Sequence, residues 1–214
     1  MNIHRLYARL SPLFRRRRMR TFIATLAPQP AERILDVGGT PAFWAEAAVP
    51  ADITVLNREA TPPAVAPSAG PRRHFLTGDG CALPFPDGAF DIVFSNSVVE
   101  HVGTWARQQA FAAEVRRVGR RLWIQTPARG FFIEPHLLTP FIHWLPRPWQ
   151  QRLLRNFTLR GWIDRPGPAA VAVFLDEVRL LTLAEMQTLF PDCTILRERF
   201  CGMTKSYVAV RTSR

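Results

Sequence analysis

Ile34-Leu35-Asp36-Val37-Gly38-Gly39-Thr40 is the stretch on which the fold turns. A short apolar run that ends in glycines suits a strand buried on both faces. The glycines then let a ligand approach the backbone, while Asp36 offers a carboxylate at the strand's end. Thr40-Pro41 supplies an N-cap and a first-turn proline for a helix through about Ala48, whose unpaired N–H groups would face the same space.

Further strands are expected at Ile53–Leu56, His74–Leu76, Phe90–Phe94 and Leu122–Gln125. Residues 60–72, rich in Pro and Ala, read as a loop that replaces or shortens a helix. Ser97 and Glu100 have capping-box spacing, as do Thr182 and Glu185, the latter opening a helix to Phe190. Thr104 can cap a helix through Val118. Cys193–Leu196 and Tyr207–Val210 would close the sheet as an antiparallel pair. Strands alternating with helices give an α/β fold with a mainly parallel sheet, whose ligands lie at the carboxyl ends of the strands. The dinucleotide fingerprint G-x-G-x-x-G fits poorly, because Thr40 and Phe43 stand where its second and third glycines belong.

The second informative block is Gly78-Asp79-Gly80-Cys81-Ala82-Leu83-Pro84-Phe85-Pro86-Asp87-Gly88-Ala89-Phe90-Asp91-Ile92-Val93-Phe94-Ser95-Asn96. With the Asp-x-Gly-Gly turn about 40 residues earlier, it closely resembles the central region of class I S-adenosylmethionine-dependent methyltransferases, in particular those called methyltransferase type 11. The resemblance runs from Ile34 to about Pro127, with a looser echo at Thr182–Val210. It implies a Rossmann-like, doubly wound seven-stranded sheet, mainly parallel, with an antiparallel last strand and a helical or irregular insertion after the fifth strand. It also implies S-adenosylmethionine as cofactor. Asp36, Gly38, Gly39 and Thr40 would line its methionine part, and Asn57 would take the ribose. Asp79 would bind the adenine amino group beside Gly80 and Cys81. Ser95 and Asn96 would border the sulfonium and the transfer channel. Two positions depart from the family pattern: Asn57 stands where an acidic residue is usual, and Thr40 where a glycine is common.

The 214 residues carry 28 basic and 17 acidic side chains for a formal net charge of +11, and every basic residue except Lys205 is arginine. The charge fits either solubility or an acidic partner. Three cysteines without a CxxC pair argue against a disulfide framework or zinc knuckle, and no metal site is expected. A basic helical segment at 1–27, broken near Ser11-Pro12, precedes a methyltransferase domain at 28–214. Arg15–Arg18 and Arg20 before an apolar run echo a secretory leader, but the run is short and lacks a cleavage site, so a cytoplasmic protein is expected.

Residues 128–175 hold six of the 19 prolines and read as an insertion serving as lid or acceptor-binding element. Within it, Glu134 and His136 flank Pro135, an i, i+2 spacing that puts both side chains on one side of an extended segment. They and His101 are the candidate catalytic residues for deprotonating an acceptor, with a plain structural pair as the alternative. Arg147, Arg152, Arg155, Arg160 and Arg165 interleave with Trp144, Trp149, Phe157 and Trp162. That mixture suits a lid whose aromatics cover the cofactor, or peripheral contact with an anionic membrane surface.

Nucleic acid is disfavoured as a substrate. Ser95-Asn96-Ser97-Val98 lacks the prolines of amino-directed base methyltransferases, Cys81 belongs to the adenine loop, and one lysine cannot make a Lys-Asp-Lys-Glu set. The function expected is methyl transfer to an oxygen or nitrogen of a small molecule, such as a sugar or a lipid- or carrier-linked precursor. An inactive cofactor-binding scaffold and an RNA-directed enzyme are the alternatives.

Overall fold

The structure is a computed structural model, and it describes residues 12–40, 43–44, 49–59 and 72–213. The first eleven residues, most of the helix expected after Thr40 and most of the expected loop at 60–72 lie outside the described residues.

The described chain begins with helix α1 (Pro12–Leu26), followed by strands β1 (Arg33–Val37), β2 (Asp52–Asn57), β3 (Arg73–Thr77) and β4 (Phe90–Asn96). A 3-10 turn at Val99–His101 leads to α2 (Trp105–Val118) and β5 (Gly119–Pro127). The insertion contributes a two-strand ribbon, β6 (Ile133–Glu134) and β7 (Thr139–Pro140), and helices α3 (Arg147–Phe157), α4 (Leu159–Asp164) and α5 (Pro168–Glu177). Helix α6 (Leu183–Leu189) and strands β8 (Thr194–Phe200) and β9 (Met203–Arg211) close the chain. The seven-stranded sheet runs β3-β2-β1-β4-β5-β9-β8, with β1 to β5 parallel and β9 antiparallel to both its neighbours. The order reverses at β1/β4, where doubly wound sheets bind ligands.

Each strand sends alternate side chains into two apolar layers. Leu35 and Val37 join one layer with Phe111, Val115 and Leu122. Ile34 joins the other, with Phe22, Trp44, Phe94 and Trp123. The closing strands are longer than the sequence suggests, because Cys201 and Gly202 (φ +50° and +78°) form a tight two-residue turn that lets β8 and β9 pair along their length.

The described part of the basic N-terminal segment, α1, packs onto the sheet: Phe22 is fully buried, edge-on to Phe94 and Trp123 at 5.0 and 5.6 Å. Arg18 is likewise buried, bonding Glu198 and Asn96. Ser97 and Glu100 form no capping box; Ser97 has φ +58° and donates to Gln125, while the 3-10 turn has no side-chain cap. The Thr104 cap and the Thr182–Glu185 box do form. In the insertion, Ala128 pairs with Leu181 at the neck, and Leu137, Ile142, Leu154, Val171 and Leu175 form a small separate core.

Candidate active site at the carboxyl ends of the strands

The turn after β1 is shaped by two close approaches. Gly38 takes φ +81°, and a Cβ there would sit 2.5 Å from the Val98 side chain. A Cβ on Gly39 would fall 1.6 Å from an Asp36 carboxylate oxygen, so only glycine fits over this carboxylate. Strand alternation carries Asp36 into the apolar layer under α1, where it is fully buried. Oδ2 accepts from the Trp44 indole at 2.5 Å, while Oδ1 has no partner among the described residues. Desolvation pushes its pKa up to about 7, against the Trp44 hydrogen bond.

The tips of β1, β2 and the segment after β3 converge on a cleft of about 230 Å³, closed on its far side by Val98, His101 and Arg107. Its floor is apolar, with Val37, Leu56 and Phe111. Gly80 is buried against Val37 and Phe111, so a side chain here would intrude on both. Asn57, at the end of β2, spends its amide N–H on the Gly39 carbonyl at 3.0 Å. Asp79 accepts from Cys81 N at 2.9 Å and is paired with Arg107 at 2.8 Å. The Arg107 hydrogen bond, then the Cys81 N–H, hold its carboxyl below the usual range. The cleft thus offers an apolar floor, an amide at the β2 tip and a carboxylate beyond it.

Not every expected residue faces this cleft. Gly38, Asn57, Asp79 and Gly80 line it. Ser95 is fully buried and donates to the Val37 carbonyl at 2.9 Å, which ties β4 to β1. Asn96 points to α1 and accepts from Arg18 at 2.5 Å. Cys81 turns its thiol to the Arg107 carbonyl, and burial raises its pKa. Thr40 is exposed, and its carbonyl accepts from Phe43 N. The border expected of Ser95 and Asn96 is instead made by Ser97 and Val98, because the chain swings outward at Ser97.

Beside the cleft, the three candidate catalytic residues do come together. His101 lines the rim, and its ring packs edge-on to His136 at 4.6 Å between centroids. Although part of the residue reaches solvent, desolvation of the ring and the neighbouring His136 push its pKa down to about 4. His136 Nδ1 bonds Glu134 Oε1 at 2.7 Å. Burial opposes its charge, but the hydrogen bond and charge of Glu134, helped by Glu100, raise its pKa. Glu134 is itself buried and accepts from Leu137 N through Oε2. A second cavity, about 210 Å³ and lined by Glu134, Arg129, His143 and Arg179 among others, lies in the insertion. His101 thus faces the first cavity, Glu134 the second, and His136 spans between.

The lid reading fails on one point: no insertion residue lines the cleft, and Trp149, Phe157 and Trp162 are 54%, 67% and 62% exposed. Sequence reasoning also passed over Glu100, Val98 and Arg107. Arg107 sits one turn beyond the Thr104 cap, and nothing in its spacing announces Asp79 as its partner. Glu100 carried a signal, being an acid within an apolar run, but the capping-box spacing explained it away.

Residues 35–121 match the family described as Methyltransferase domain. An uncharacterized methyltransferase of Mycolicibacterium gilvum is 38% identical over 92 residues, which is 41% of this chain and 34% of that protein. A second, from Mycobacterium avium, is 38% identical over 94 residues, 41% of this chain and 35% of its own. The likeness therefore spans about a third of these relatives' length. Among solved structures, a Burkholderia thailandensis 1,6-didemethyltoxoflavin-N1-methyltransferase with bound S-adenosylhomocysteine superposes with a TM-score of 0.55. It shares 15% identity, over 92% of this chain and 76% of that one. A magnesium protoporphyrin IX methyltransferase from Synechocystis, also with S-adenosylhomocysteine, gives 0.53 at 15% identity over 90% and 81%. These likenesses at low identity are likenesses of fold.

Proposed function

From the chain's place among the class I methyltransferases, we propose that it moves the methyl group of S-adenosylmethionine to an oxygen or nitrogen of a small molecule. The observation that carries this reading is the convergence of Gly38, Asn57, Asp79 and Gly80 on one cleft, with an imidazole pair at its rim. The residues fit the cofactor: Asn57 and Asp79 offer polar contacts to a nucleoside over an apolar floor, and Gly38 and Gly80 keep its walls free of side chains. When bound, the cofactor supplies a methyl group on a positively charged sulfur.

The chain's own share is alignment and exclusion of water, since the leaving group is already good. Val98 and Phe111 keep the cleft apolar, and Arg107 steadies Asp79. The acceptor enters from the insertion side, where His101, His136 and Glu134 meet it. Incubating the protein with S-adenosylmethionine and a panel of hydroxyl and amine metabolites tests the reading through S-adenosylhomocysteine release. Release with at least one acceptor supports it. Nucleoside binding without release on any acceptor would favour the scaffold, and incorporation only into RNA the third alternative.

A second reading concerns where the acceptor resides. Of ten large apolar side chains left exposed among the described residues, seven lie between Phe141 and Val173. Arg152 and Arg155 lie exposed among them, with no partner among the described residues. Aromatics beside free arginines suit an anionic lipid surface, each basic group adding about 1 kcal/mol near it. No helix among the described residues is long and apolar enough to cross a membrane. A lipid-linked acceptor would then be met at the interface. Arg18 takes no part, because Glu198 and Asn96 hold it.

A further inference from the structure

We infer that Glu100, His101 and His136 form a binding site for one divalent cation of the zinc class, placed between the cofactor cleft and the insertion. The inference deepens the reading above and rests on it for the role of the ion, though not for its binding.

The three residues each offer a ligand atom, and these atoms lie within 4.8 Å of one another. Each buried ligand is half anchored and half free. Glu100 is fully buried; its Oε2 accepts from Thr126 Oγ1 at 2.9 Å, while its Oε1 has no partner among the described residues. His136 gives Nδ1 to the buried Glu134, which leaves Nε2 as its available nitrogen. An imidazole whose other nitrogen is held by a carboxylate is the usual arrangement around a metal-bound histidine, because it fixes the ring and raises its basicity. His101, on the rim, supplies the third donor and borders the cleft.

A buried acceptor oxygen without a donor is destabilising, and a cation between Glu100 and the two rings satisfies it. Two nitrogens and one carboxylate oxygen match a zinc-type catalytic site, which keeps a fourth position open. They match magnesium or calcium poorly, since those ions prefer oxygen donors. Ligands about 2.0–2.1 Å from zinc lie closer together than the present set, so the cluster contracts on binding. The rim position of His101 leaves it free to close.

The open position would take the acceptor's oxygen, which makes the acceptor a hydroxyl compound. On coordination the hydroxyl loses its proton to water. Its oxygen then forms the bond to the methyl carbon as the sulfur–methyl bond breaks, and sulfur leaves with the electron pair as S-adenosylhomocysteine.

The test uses the full chain, stripped with a chelator and titrated with Zn²⁺ by calorimetry and with Co²⁺ by visible absorption. We expect one equivalent bound, with a cobalt spectrum lacking thiolate bands, since no cysteine is among the three ligands. His136→Ala and Glu100→Gln should abolish binding, and Glu134→Gln should weaken it about 10–100-fold. His101→Ala, at the rim, is the variant least able to disturb folding, and should also lose the site. His143→Ala should keep it. Thiolate bands, or equal binding by His101→Ala and His136→Ala, would overturn the proposal. Titration of S-adenosylhomocysteine on the same samples separates the two claims: nucleoside binding without metal binding sinks the ion alone, and the reverse sinks the cofactor reading alone.

Discussion

Asp36 and Glu100 are both fully buried carboxylates with one oxygen bonded and one unpaired, yet they belong to two differently built regions. Around Asp36 the site is made of backbone: a glycine turn, a strand tip and carbonyls claimed by Asn57 and Ser95. Around Glu100 it is made of side chains gathered from a 3-10 turn, β5 and the insertion. A backbone site has its shape fixed by glycines before any ligand arrives. A side-chain site stays adaptable, and its chemistry is decided by what fills it.

The largest effect expected lies beneath the first region. Phe22→Ala should cost about 3–5 kcal/mol, as for other buried aromatics, read from denaturant midpoints; a negligible loss would mean that α1 is dispensable after all. Next comes the Asp36 carboxyl. Its folded pKa near 7 stands above its ordinary value of 3.8, so the native state holds the proton longer than the unfolded chain does. Its contribution is fully present below about pH 4 and is lost as pH rises to about 7, some 2–4 kcal/mol in all. Asp36→Asn should flatten that slope, and an unchanged slope would place the titration elsewhere.

A smaller effect probes the cleft wall. Asp79→Asn removes the charge from a hydrogen-bonded contact worth about 1.5–3 kcal/mol and should weaken S-adenosylhomocysteine binding about 10–100-fold. Smallest is the insertion's outer face. Trp149→Ala with Phe157→Ala should lower sedimentation with anionic vesicles a few-fold and leave nucleoside affinity alone; if vesicle binding is equal in both proteins, the surface contacts something else.

The same contrast explains how much was legible in the sequence. The turn at Gly38-Gly39 and the segment Gly78–Gly80 are written as residue types at fixed spacing, because a Cβ at 38 or 39 would clash outright and one at 80 would press on Val37 and Phe111. The mainly parallel sheet follows from strands alternating with helices, and it has the seven strands and the antiparallel last strand expected. Ser95 and Asn96, expected to border the transfer channel, do not line the cleft, because their side chains bond Val37 and Arg18 and the left-handed Ser97 turns the chain aside. Serine gives no clear sign of such a turn. The Glu100–His136 approach joins positions 36 residues apart across an insertion with its own core, and no local pattern encodes it. His101, Glu134 and His136 were nevertheless singled out, and they lie together, because imidazoles beside a carboxylate are chemically conspicuous wherever they fall.

Calorimetric titration of S-adenosylhomocysteine into the wild-type protein and Asp79→Asn puts the account at most direct risk. Saturable one-to-one binding, clearly weaker in the variant, is the result predicted. No heat and no thermal stabilisation of the wild type at nucleoside concentrations of about 1 mM, where even a weak site fills, would contradict it.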